Sequence, residues 1–308
     1  MEKLVSVLIP IYGVEKYIER CATSLFNQTY DNCEFVFVND CTKDNSITIL
    51  NEVISRYPAL HSRIHVISHE VNQGLGGARL TGIKNAHGYY LSFVDSDDYV
   101  EPDYIKKMVA TADSTHTDLV VSSNALLNNE VEKVDILTYL KEKCCRRCPA
   151  RIWGSLQKKE IFDSHEIYPI LGIDHAEDYH VMCKYISECK SIILMKEELY
   201  HYNTDNDQSY TKNYTEKSIL SIYNSLVSTS AYLLKKDKKL YKDIVYFANL
   251  EFIRWVLENV PDNSLKDMFI SRFKSYNIPL WAKTGLFSLQ YLPAFISKVI
   301  LRITYTFI

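Results

Sequence analysis

The 308-residue sequence predicts an α/β protein: a mostly parallel central sheet with flanking helices, followed by a helical C-terminal region. Over the first 120 residues, short runs rich in β-branched and aromatic residues alternate with amphipathic helical patterns, as in sheets built from crossover units. Polar turns follow the predicted strands, and only helical patterns remain beyond about residue 215. We therefore predict a first region over residues 1–213 and a second region over residues 214–308.

The individual elements follow from the spacing of apolar residues. The predicted strands, in order, are 5–9, 34–38, 64–67, 89–94, 119–121, 192–195 and 199–202. Helical spacing is found over 14–25, 47–57, 219–233 and 241–252, and further helices are predicted to begin near Pro102 and Glu177. Asp44 is the predicted N-cap of the second helix. Residues 133–169 are less regular, and we assign no element there.

Charge and composition narrow the class of protein. The chain has 35 Lys and Arg against 38 Asp and Glu, a formal charge of −3, and 47% hydrophobic residues. These values are typical of a globular protein and give no global reason to expect a nucleic-acid partner. The N-terminal apolar run is broken at Pro10 and lacks a signal-peptide cleavage site, so we expect a cytoplasmic protein.

In that compartment the eight cysteines are expected to be reduced thiols. Cys145 and Cys148 have the spacing of half a zinc knuckle, but no second pair with this spacing follows. We therefore expect scattered thiols rather than a structural metal site.

The C-terminal segment 279–308 is apolar and basic, since the last acidic residue is Asp267. This composition is typical of a helix that lies in an anionic membrane surface. A membrane span is not predicted, because Lys283, Pro293, Lys298 and Arg302 interrupt the apolar run. The alternative is a terminal helix packed on its own domain or on a partner subunit.

Three acids stand at the end of the strand predicted over 89–94, at Asp95, Asp97 and Asp98. Residues two apart in an extended chain project to the same side, so Asp95 and Asp97 can face one cavity. Mg²⁺ or Mn²⁺ commonly uses one or two such carboxylates and completes its shell with water and ligand phosphates. The alternative is a solvated acidic turn that precedes the next helix.

Two further turns carry candidate binding groups. Asp40 follows the second strand, where a carboxylate can accept hydrogen bonds from a base or ribose, or can simply make a turn. The glycine run from Gly74 to Arg79 lacks both dinucleotide-binding and P-loop spacing, which excludes those two folds. Arg79 can still bind a diphosphate, because arginine binds phosphate in a bidentate manner.

In chain order, the informative segments are 6–12, 38–40, 72–79, 95–98 with Pro102 and Asp103, and 177–178. This series resembles the family 2 glycosyltransferases, inverting enzymes that use nucleotide-diphospho-sugars, and in particular those of bacterial surface polysaccharides. The resemblance covers about residues 4–210. It implies the GT-A fold, a Rossmann-like sheet with flanking helices.

The resemblance also implies roles for individual residues. Asp178, in the Glu177-Asp178 pair, would be the catalytic base, although acids at a helix start are also favoured by the helix dipole. Asn39 and Cys41 depart from the family pattern, which usually has aspartate and glycine there. Asp98 would be a helix-start or supporting residue. The remaining implied roles are base binding by Pro10, Tyr12 and Asp40, a nucleotide contact by Arg79, a ribose contact by Asp95, and binding of the Mn²⁺ or Mg²⁺ cofactor by Asp97.

Two further residues have two interpretations each. Trp153 matches an aromatic residue near the acceptor side in relatives, or is a core tryptophan. His201 can reach the metal or the diphosphate, or is structural. Glu177 would assist at the acceptor or diphosphate.

The expected function is metal-dependent inverting transfer of a sugar, from a UDP-sugar, to a hydroxyl of a glycan or lipid-linked acceptor. The expected location is the cytoplasm, peripheral on the inner face of the cell membrane. A glycoside hydrolase is disfavoured, because hydrolases need a carboxylic acid to protonate a poor leaving group. Two alternatives stay open: a sugar nucleotidyltransferase, and a non-catalytic relative that binds nucleotide or glycan in an assembly complex.

Overall fold

The computed structural model describes residues 2–122, 131–145, 149–204 and 214–274. Its strands are β1 Val5–Ile11, β2 Cys33–Asn39, β3 Ile64–Ser68, β4 Tyr90–Phe93, β5 Tyr99–Val100, β6 Leu119–Ser122, β7 Val131–Lys133, β8 Ser155–Lys158, β9 Ile192–Met195 and β10 Tyr200–His201. Its helices are α1 Ile18–Phe26, α2 Ser46–Ser55, α3 Gly74–Lys84, α4 Tyr104–Thr115, α5 Ile136–Cys144, α6 Lys159–Ser164, α7 Glu177–Glu188, α8 Glu216–Lys236, α9 Lys238–Asn259 and α10 Asn263–Lys274.

Eight of these strands form one sheet, in the order β3-β2-β1-β4-β8-β6-β9-β7, and β10 pairs with β5 in a separate two-stranded sheet. Strands β3, β2, β1 and β4 are parallel, which confirms the predicted parallel arrangement of the N-terminal half. Their carboxyl ends therefore meet at one edge, where ligands bind in open α/β sheets. That edge positions the polar turns after β1, β2 and β4.

The residues of β1 alternate between two apolar clusters, one on each face of the sheet. Val7 and Ile9 belong to the cluster that α1, α2 and α4 cover, whereas Leu8 belongs to the cluster that α3, α5 and α7 cover, with α8 and α9 outside them. This period of two is the geometry of a strand, and it explains why β1 is buried along its whole length.

Strand β8 was missed by the sequence pattern, which left residues 133–169 without an element. It runs antiparallel between β4 and β6. The reason is physical: β8 has four residues, and its buried Gln157 breaks the apolar run. The Gln157 Nε2 group donates to the Ile152 carbonyl at 3.0 Å and to the Ser155 hydroxyl at 2.7 Å, while Oε1 is buried without a partner among the described residues.

Two local predictions are corrected. Asn45, not Asp44, is the N-cap of α2, and Asp44 lies one residue earlier. There its carboxylate accepts hydrogen bonds from the backbone N–H groups of Ser46 at 3.1 Å and Glu15 at 2.9 Å. The Gly74 region, expected as a polar turn, is instead the first turn of α3.

The C-terminal helices pack on the sheet region rather than forming a separate core. Leu226 of α8 and Phe252 of α9 belong to the same apolar cluster as Leu8 and Phe93 of the sheet. Residue 213 therefore separates a region of strands and helices from a region of helices only. As a boundary between domains it stays a prediction. Residues 279–308 lie outside the described residues. Among the described helices, none has the length and apolar character to cross a membrane.

Candidate active site

A cleft of about 340 Å³ opens at the carboxyl edge of the parallel strands. It brings together residues from seven separate parts of the chain. Of the residues singled out from the sequence, those that line it are Pro10, Tyr12, Asp40, Arg79, Asp95, Asp97, Trp153, Glu177 and Asp178. Asp174 and His175, which the sequence analysis did not select, also contribute to its wall.

Arg79 of α3 joins the loop after β4 to the start of α7. Its side chain is 3% exposed, and its Nη2 atom lies 2.7 Å from Asp95 Oδ1 while Nη1 pairs with the Glu177 carboxylate. Burial lowers the pKa of Arg79, but the charges of Asp95, Glu177 and Asp178 outweigh burial and hold it above its usual range. The Arg79 Nε atom is buried and has no hydrogen-bond partner among the described residues.

Glu177 and Asp178 occupy the first turn of α7, after Ala176. Ala176 has a φ of +58°, a left-handed conformation that is uncommon for a residue with a side chain. Burial raises the pKa of Glu177 to about 8, with Arg79 opposing the rise and Asp178 adding to it. Asp178 is half-buried, and its Oδ1 atom accepts a hydrogen bond from the Tyr179 backbone N–H at 2.6 Å.

Asp98 holds the loop after β4 against the strand β10. Its carboxyl accepts hydrogen bonds from the Tyr200 hydroxyl at 2.5 Å and from the Asn203 backbone N–H at 2.7 Å. Burial, followed by the charge of Asp95, raises the pKa of Asp98 to about 8. Asp98 was expected either to begin a helix or to support the site. Because α4 begins only at Tyr104, the supporting role is favoured.

The carboxylates at this edge of the sheet are suitable ligands for a divalent cation that binds together with a diphosphate. In the described part of the chain, no three His, Cys, Asp or Glu side chains are grouped closely enough to hold a metal ion. Asp95 and Asp97 nevertheless line the same cleft. Two carboxylates, completed by diphosphate oxygens and water, are an ordinary ligand set for Mg²⁺ or Mn²⁺.

Asp40 is almost fully buried at the N-terminus of α3. Its Oδ1 atom accepts from the Gln73 N–H at 2.7 Å and from His69 Nδ1 at 2.8 Å, and Oδ2 accepts from the Gly74 N–H at 2.8 Å. A carboxylate has about four acceptor positions, so these three bonds leave one position on Oδ2 without a partner among the described residues. His69, missed in the sequence analysis, orients this carboxylate and is itself held by the Thr81 hydroxyl at 2.8 Å.

Gly74 is required where α3 begins. Its φ is +80°, and a Cβ atom there would lie 2.0 Å from Asp174 Oδ1. Asp174 is buried against this helix start and pairs with Lys217 of α8 at 3.0 Å. The glycine run thus permits close packing of a carboxylate on the helix N-terminus, where negative charge is favourable.

Trp153 belongs to a stack of aromatic rings at the end of the cleft. Its indole is 4.7 Å from the Tyr200 ring and 5.3 Å from the Tyr202 ring, both nearly parallel, and Arg151 lies 4.6 Å from it. Tyr202 is the outer member, with 50% of its surface exposed. Trp153 therefore both packs in the protein and faces the cleft.

His201 lies outside the set that lines the cleft. Its Nε2 atom is 2.6 Å from Glu101 Oε1, and its ring stacks on Tyr99 at 4.5 Å. This arrangement favours the structural interpretation of His201 over contact with a metal or diphosphate.

Comparison with known proteins gives a consistent family. Residues 6–134 match the family model "Glycosyl transferase family 2". The putative glycosyltransferase EpsH of Bacillus subtilis is 33% identical over 253 residues, which cover 77% of this chain and 70% of EpsH. The uncharacterized glycosyltransferase EpsJ of the same organism is 32% identical, and the match covers 69% of this chain and 64% of EpsJ.

Solved structures share the fold. Staphylococcus aureus TarS 1–349 in complex with UDP-GlcNAc has a TM-score of 0.63 at 19% identity, covering 93% of this chain and 87% of that one. The mannosyltransferase PcManGT of Pyrobaculum calidifontis, with GDP-Man and Mn²⁺, has a TM-score of 0.55 at 15% identity, covering 98% and 86%. The order of acidic turns, their meeting in one cleft and the match to EpsH together lead to one conclusion: the chain belongs to the family 2 glycosyltransferases and has their GT-A fold.

Proposed function

We propose that this protein transfers a sugar from a UDP-sugar to a hydroxyl of a glycan or lipid-linked acceptor, with inversion and with Mn²⁺ or Mg²⁺, in cell-surface polysaccharide synthesis. The observation that carries the proposal is the single cleft containing Asp95, Asp97, Arg79 and Asp178. The UDP-GlcNAc and Mn²⁺ complexes of TarS and PcManGT support the donor class and the metal.

The nucleotide would occupy the part of the cleft next to β1 and β2. Tyr12 is 52% exposed directly after β1, so its ring is available for stacking on a base. Pro10 lies beside it, and the open acceptor position of Asp40 would receive a base N–H. Asp95, held by Arg79, would accept from the ribose hydroxyls.

Asp97 would hold the cation. When bound, the cation supplies positive charge to the diphosphate leaving group, which is the electrostatic part of catalysis. Arg79 is paired with Asp95 and Glu177, so in this structure its charge positions those carboxylates.

Asp178 would remove the proton from the acceptor hydroxyl. The acceptor oxygen would bond to the anomeric carbon, while the bond from that carbon to the diphosphate breaks on the opposite face. This geometry gives inversion. General-base assistance of this kind is typically worth about 10²- to 10⁴-fold in rate. The paired Glu177 would position Asp178 at the helix start.

The test combines a donor screen with two variants. We expect one of UDP-Glc, UDP-Gal, UDP-GlcNAc, UDP-GalNAc or UDP-GlcA to raise the melting temperature with Mn²⁺ and to be hydrolysed slowly to UDP. EDTA should abolish both effects. Asp97→Asn and Asp178→Asn should lower turnover at least about 10²-fold with an unchanged melting temperature. Asp163→Asn, on the distant helix α6, should turn over normally.

Three outcomes would contradict the proposal. Full activity of either active-site variant would remove its assigned role. Release of pyrophosphate would instead indicate a nucleotidyltransferase. Tight UDP binding without turnover on any acceptor would indicate a non-catalytic relative.

We also propose that residues 279–308 attach the protein to the cytoplasmic face of the membrane. Their basic and apolar composition supports this location. A chain ending at residue 278 should no longer sediment with phosphatidylglycerol vesicles, whereas its hydrolysis of the donor should be unchanged. Unchanged sedimentation would favour packing of this segment on protein.

A further inference from the structure

A second and larger cavity, of about 780 Å³, adjoins the cleft. It lies between α5, the segment 149–153 and the end of β10. Trp153 and Tyr202 line both spaces, so they lie at the boundary between them. Its size is within the range of about 300–1,000 Å³ that is typical of ligand sites.

Tyr202 lies at this boundary, and the residues on both sides of it in the chain are held by hydrogen bonds. The preceding Tyr200 donates its hydroxyl hydrogen to Asp98, and the following Asn203 donates its backbone N–H to the same carboxyl. The Tyr202 ring also lies within 5° of parallel to the Trp153 indole. The half-exposed Tyr202 ring is therefore held in one orientation. It lies between Tyr200 and Asn203, which are both bonded to the loop that bears Asp97.

The chemistry of the larger cavity suits a polyhydroxylated ligand. Its floor includes apolar side chains such as Met182 and Leu194, and its rim carries Glu132, Glu142 and Lys133. Carboxylates accept hydrogen bonds from hydroxyl groups, and an ammonium group donates to hydroxyl oxygens. The electron-rich face of an aromatic ring attracts positively polarised C–H groups, such as those on one face of a sugar.

We propose that Tyr202 is the stacking platform for the acceptor sugar, and that the 780 Å³ cavity holds the adjoining units of an oligosaccharide acceptor. Tyr202 takes this role, rather than Trp153, because the indole is already stacked on two tyrosine rings and on Arg151. The proposal rests on the proposed function and specifies its acceptor: a chain of sugars rather than a single sugar.

The first experiment uses the full-length protein with UDP and Mn²⁺ on an array of several hundred oligosaccharides, followed by calorimetry of each bound glycan and of its terminal monosaccharide. We expect at least one oligosaccharide to bind, at least about tenfold more tightly than its monosaccharide. Tyr202→Ala should weaken that binding at least about tenfold, which is about 1.4 kcal/mol. Tyr202→Phe, which keeps the ring, should bind as the wild type does.

Two further variants separate the subsites. Glu142→Ala, on the α5 side of the larger cavity, should weaken the oligosaccharide but leave the monosaccharide unchanged. Tyr89→Ala removes a similarly exposed tyrosine that lines neither space and should bind both normally. Melting temperatures of all variants show whether each one is folded.

The outcomes distinguish this inference from the proposed function. Normal UDP binding combined with no bound glycan, or with wild-type binding by Tyr202→Ala, would overturn the inference and leave the function standing. Equal affinity for oligosaccharide and monosaccharide would overturn the extended subsite. Absence of UDP binding would instead overturn the proposed function.

Discussion

At the scale of single residues, Arg79 is the centre of the charge balance in the cleft. One guanidinium faces the carboxylates of Asp95, Glu177 and Asp178, and two of these pair with it directly. A buried ion pair adds little net stability when both partners are present, because both had to lose water. Removal of one partner is costly, because the other charge stays buried and unpaired.

We therefore expect Arg79→Met to lower the free energy of unfolding by about 3–5 kcal/mol, measured by urea denaturation at neutral pH. Addition of Asp95→Asn to this variant removes the carboxylate that has lost its partner and should restore part of the loss. A loss below about 1 kcal/mol in the single variant, or no restoration in the double variant, would show that the pairing does not stabilise the fold.

Cys41 shows the cost of one departure from the usual family residue. Its φ is +59°, a left-handed conformation in which glycine avoids the steric cost of a side chain. Its thiol makes only long contacts, 3.6 Å to the Glu70 carbonyl and 3.3 Å from Lys43 Nζ. The usual glycine is thus explained by backbone geometry rather than by ligand chemistry.

Cys41→Gly should raise the free energy of unfolding by about 0.5–1 kcal/mol, since the steric relief exceeds the extra entropy of glycine in the unfolded chain. Cys41→Ala is the matched control: it removes the thiol contacts but keeps the Cβ atom. It should be no more stable than the wild type in urea denaturation. Equal gains in both variants would attribute the effect to the thiol.

The sequence predicted the acidic members of the site because each follows a buried strand or begins a helix. Asp95 and Asp97 could be selected from three acids in four residues alone. The bonding of Asp40 could not be predicted, since its partners Gln73 and Gly74 lie more than 30 residues away and meet it only after the sheet forms. Tyr202 is one of 23 tyrosines, and only the fold distinguishes it.

At the scale of elements, the contact of α7 with α8 contains an unusual buried pair. Lys184 Nζ lies 3.2 Å from His180 Nε2 and donates to the Ser228 hydroxyl at 3.0 Å. Burial lowers the pKa of Lys184 to about 8, and burial together with the charge of Lys184 lowers the pKa of His180 to about 3. His180 is therefore neutral at neutral pH, whereas Lys184 is still charged there but loses its proton more readily than an ordinary lysine.

The sign of the pH dependence follows from proton binding. An unfolded lysine has a pKa of about 10.4, so between pH 8 and 10.4 the unfolded chain binds more protons than the folded one. The contribution of Lys184 to the free energy of unfolding is therefore lowest below pH 8 and increases as the pH rises from 8 to 10.4. We expect Lys184→Met to be about 1–2 kcal/mol more stable than the wild type at pH 7, with the difference shrinking toward pH 10.

Urea denaturation at pH 7, 8, 9 and 10 measures this difference. Lys235→Met, on the exposed side of α8, is the matched control and should change stability little at any pH. A difference between Lys184→Met and the wild type that is constant with pH would show that the ammonium group is not destabilised by burial.

Element prediction succeeded where a strand is a continuous apolar run and failed where polar residues interrupt the run. The parallel strands β1 and β2 were located to within two residues at each end, and the four-residue β9 was located at its observed bounds. Strand β8 is equally short but contains a buried glutamine, so it has no apolar run to identify. Its place in the sheet depends on partners on both sides, β4 and β6, that sequence spacing does not specify.

At the scale of the whole molecule, the helical region completes the core of the sheet region. Tyr179 of α7 meets Phe252 of α9 at a ring distance of 4.7 Å, within the apolar cluster that also holds Leu8 and Phe93. A chain without α8 and α9 would expose this surface to water, at about 25 cal/mol per Å² of apolar area. Helix α7, which begins with Glu177 and Asp178, would lose its outer layer.

We therefore expect residues 1–213 alone to lack a cooperative unfolding transition and to bind the dye ANS, whereas residues 1–274 should unfold cooperatively. Circular dichroism during urea denaturation, with ANS fluorescence, measures both properties. A cooperative transition in the shorter chain would establish residue 213 as the boundary of an independent domain.

The unequal covering of the two sheet faces has a consequence for synthesis on the ribosome. The face covered by α1, α2 and α4 needs only residues up to Thr115. The opposite face is covered by α3, α5 and α7, and α7 in turn is covered by α8 and α9, which end at Asn259. Because chains emerge at about 5–20 residues per second, α7 lacks this outer layer for several seconds or more during synthesis. During that interval the exposed apolar side of α7 is a surface for chaperones, and a premature stop codon between α7 and α9 leaves it uncovered for good.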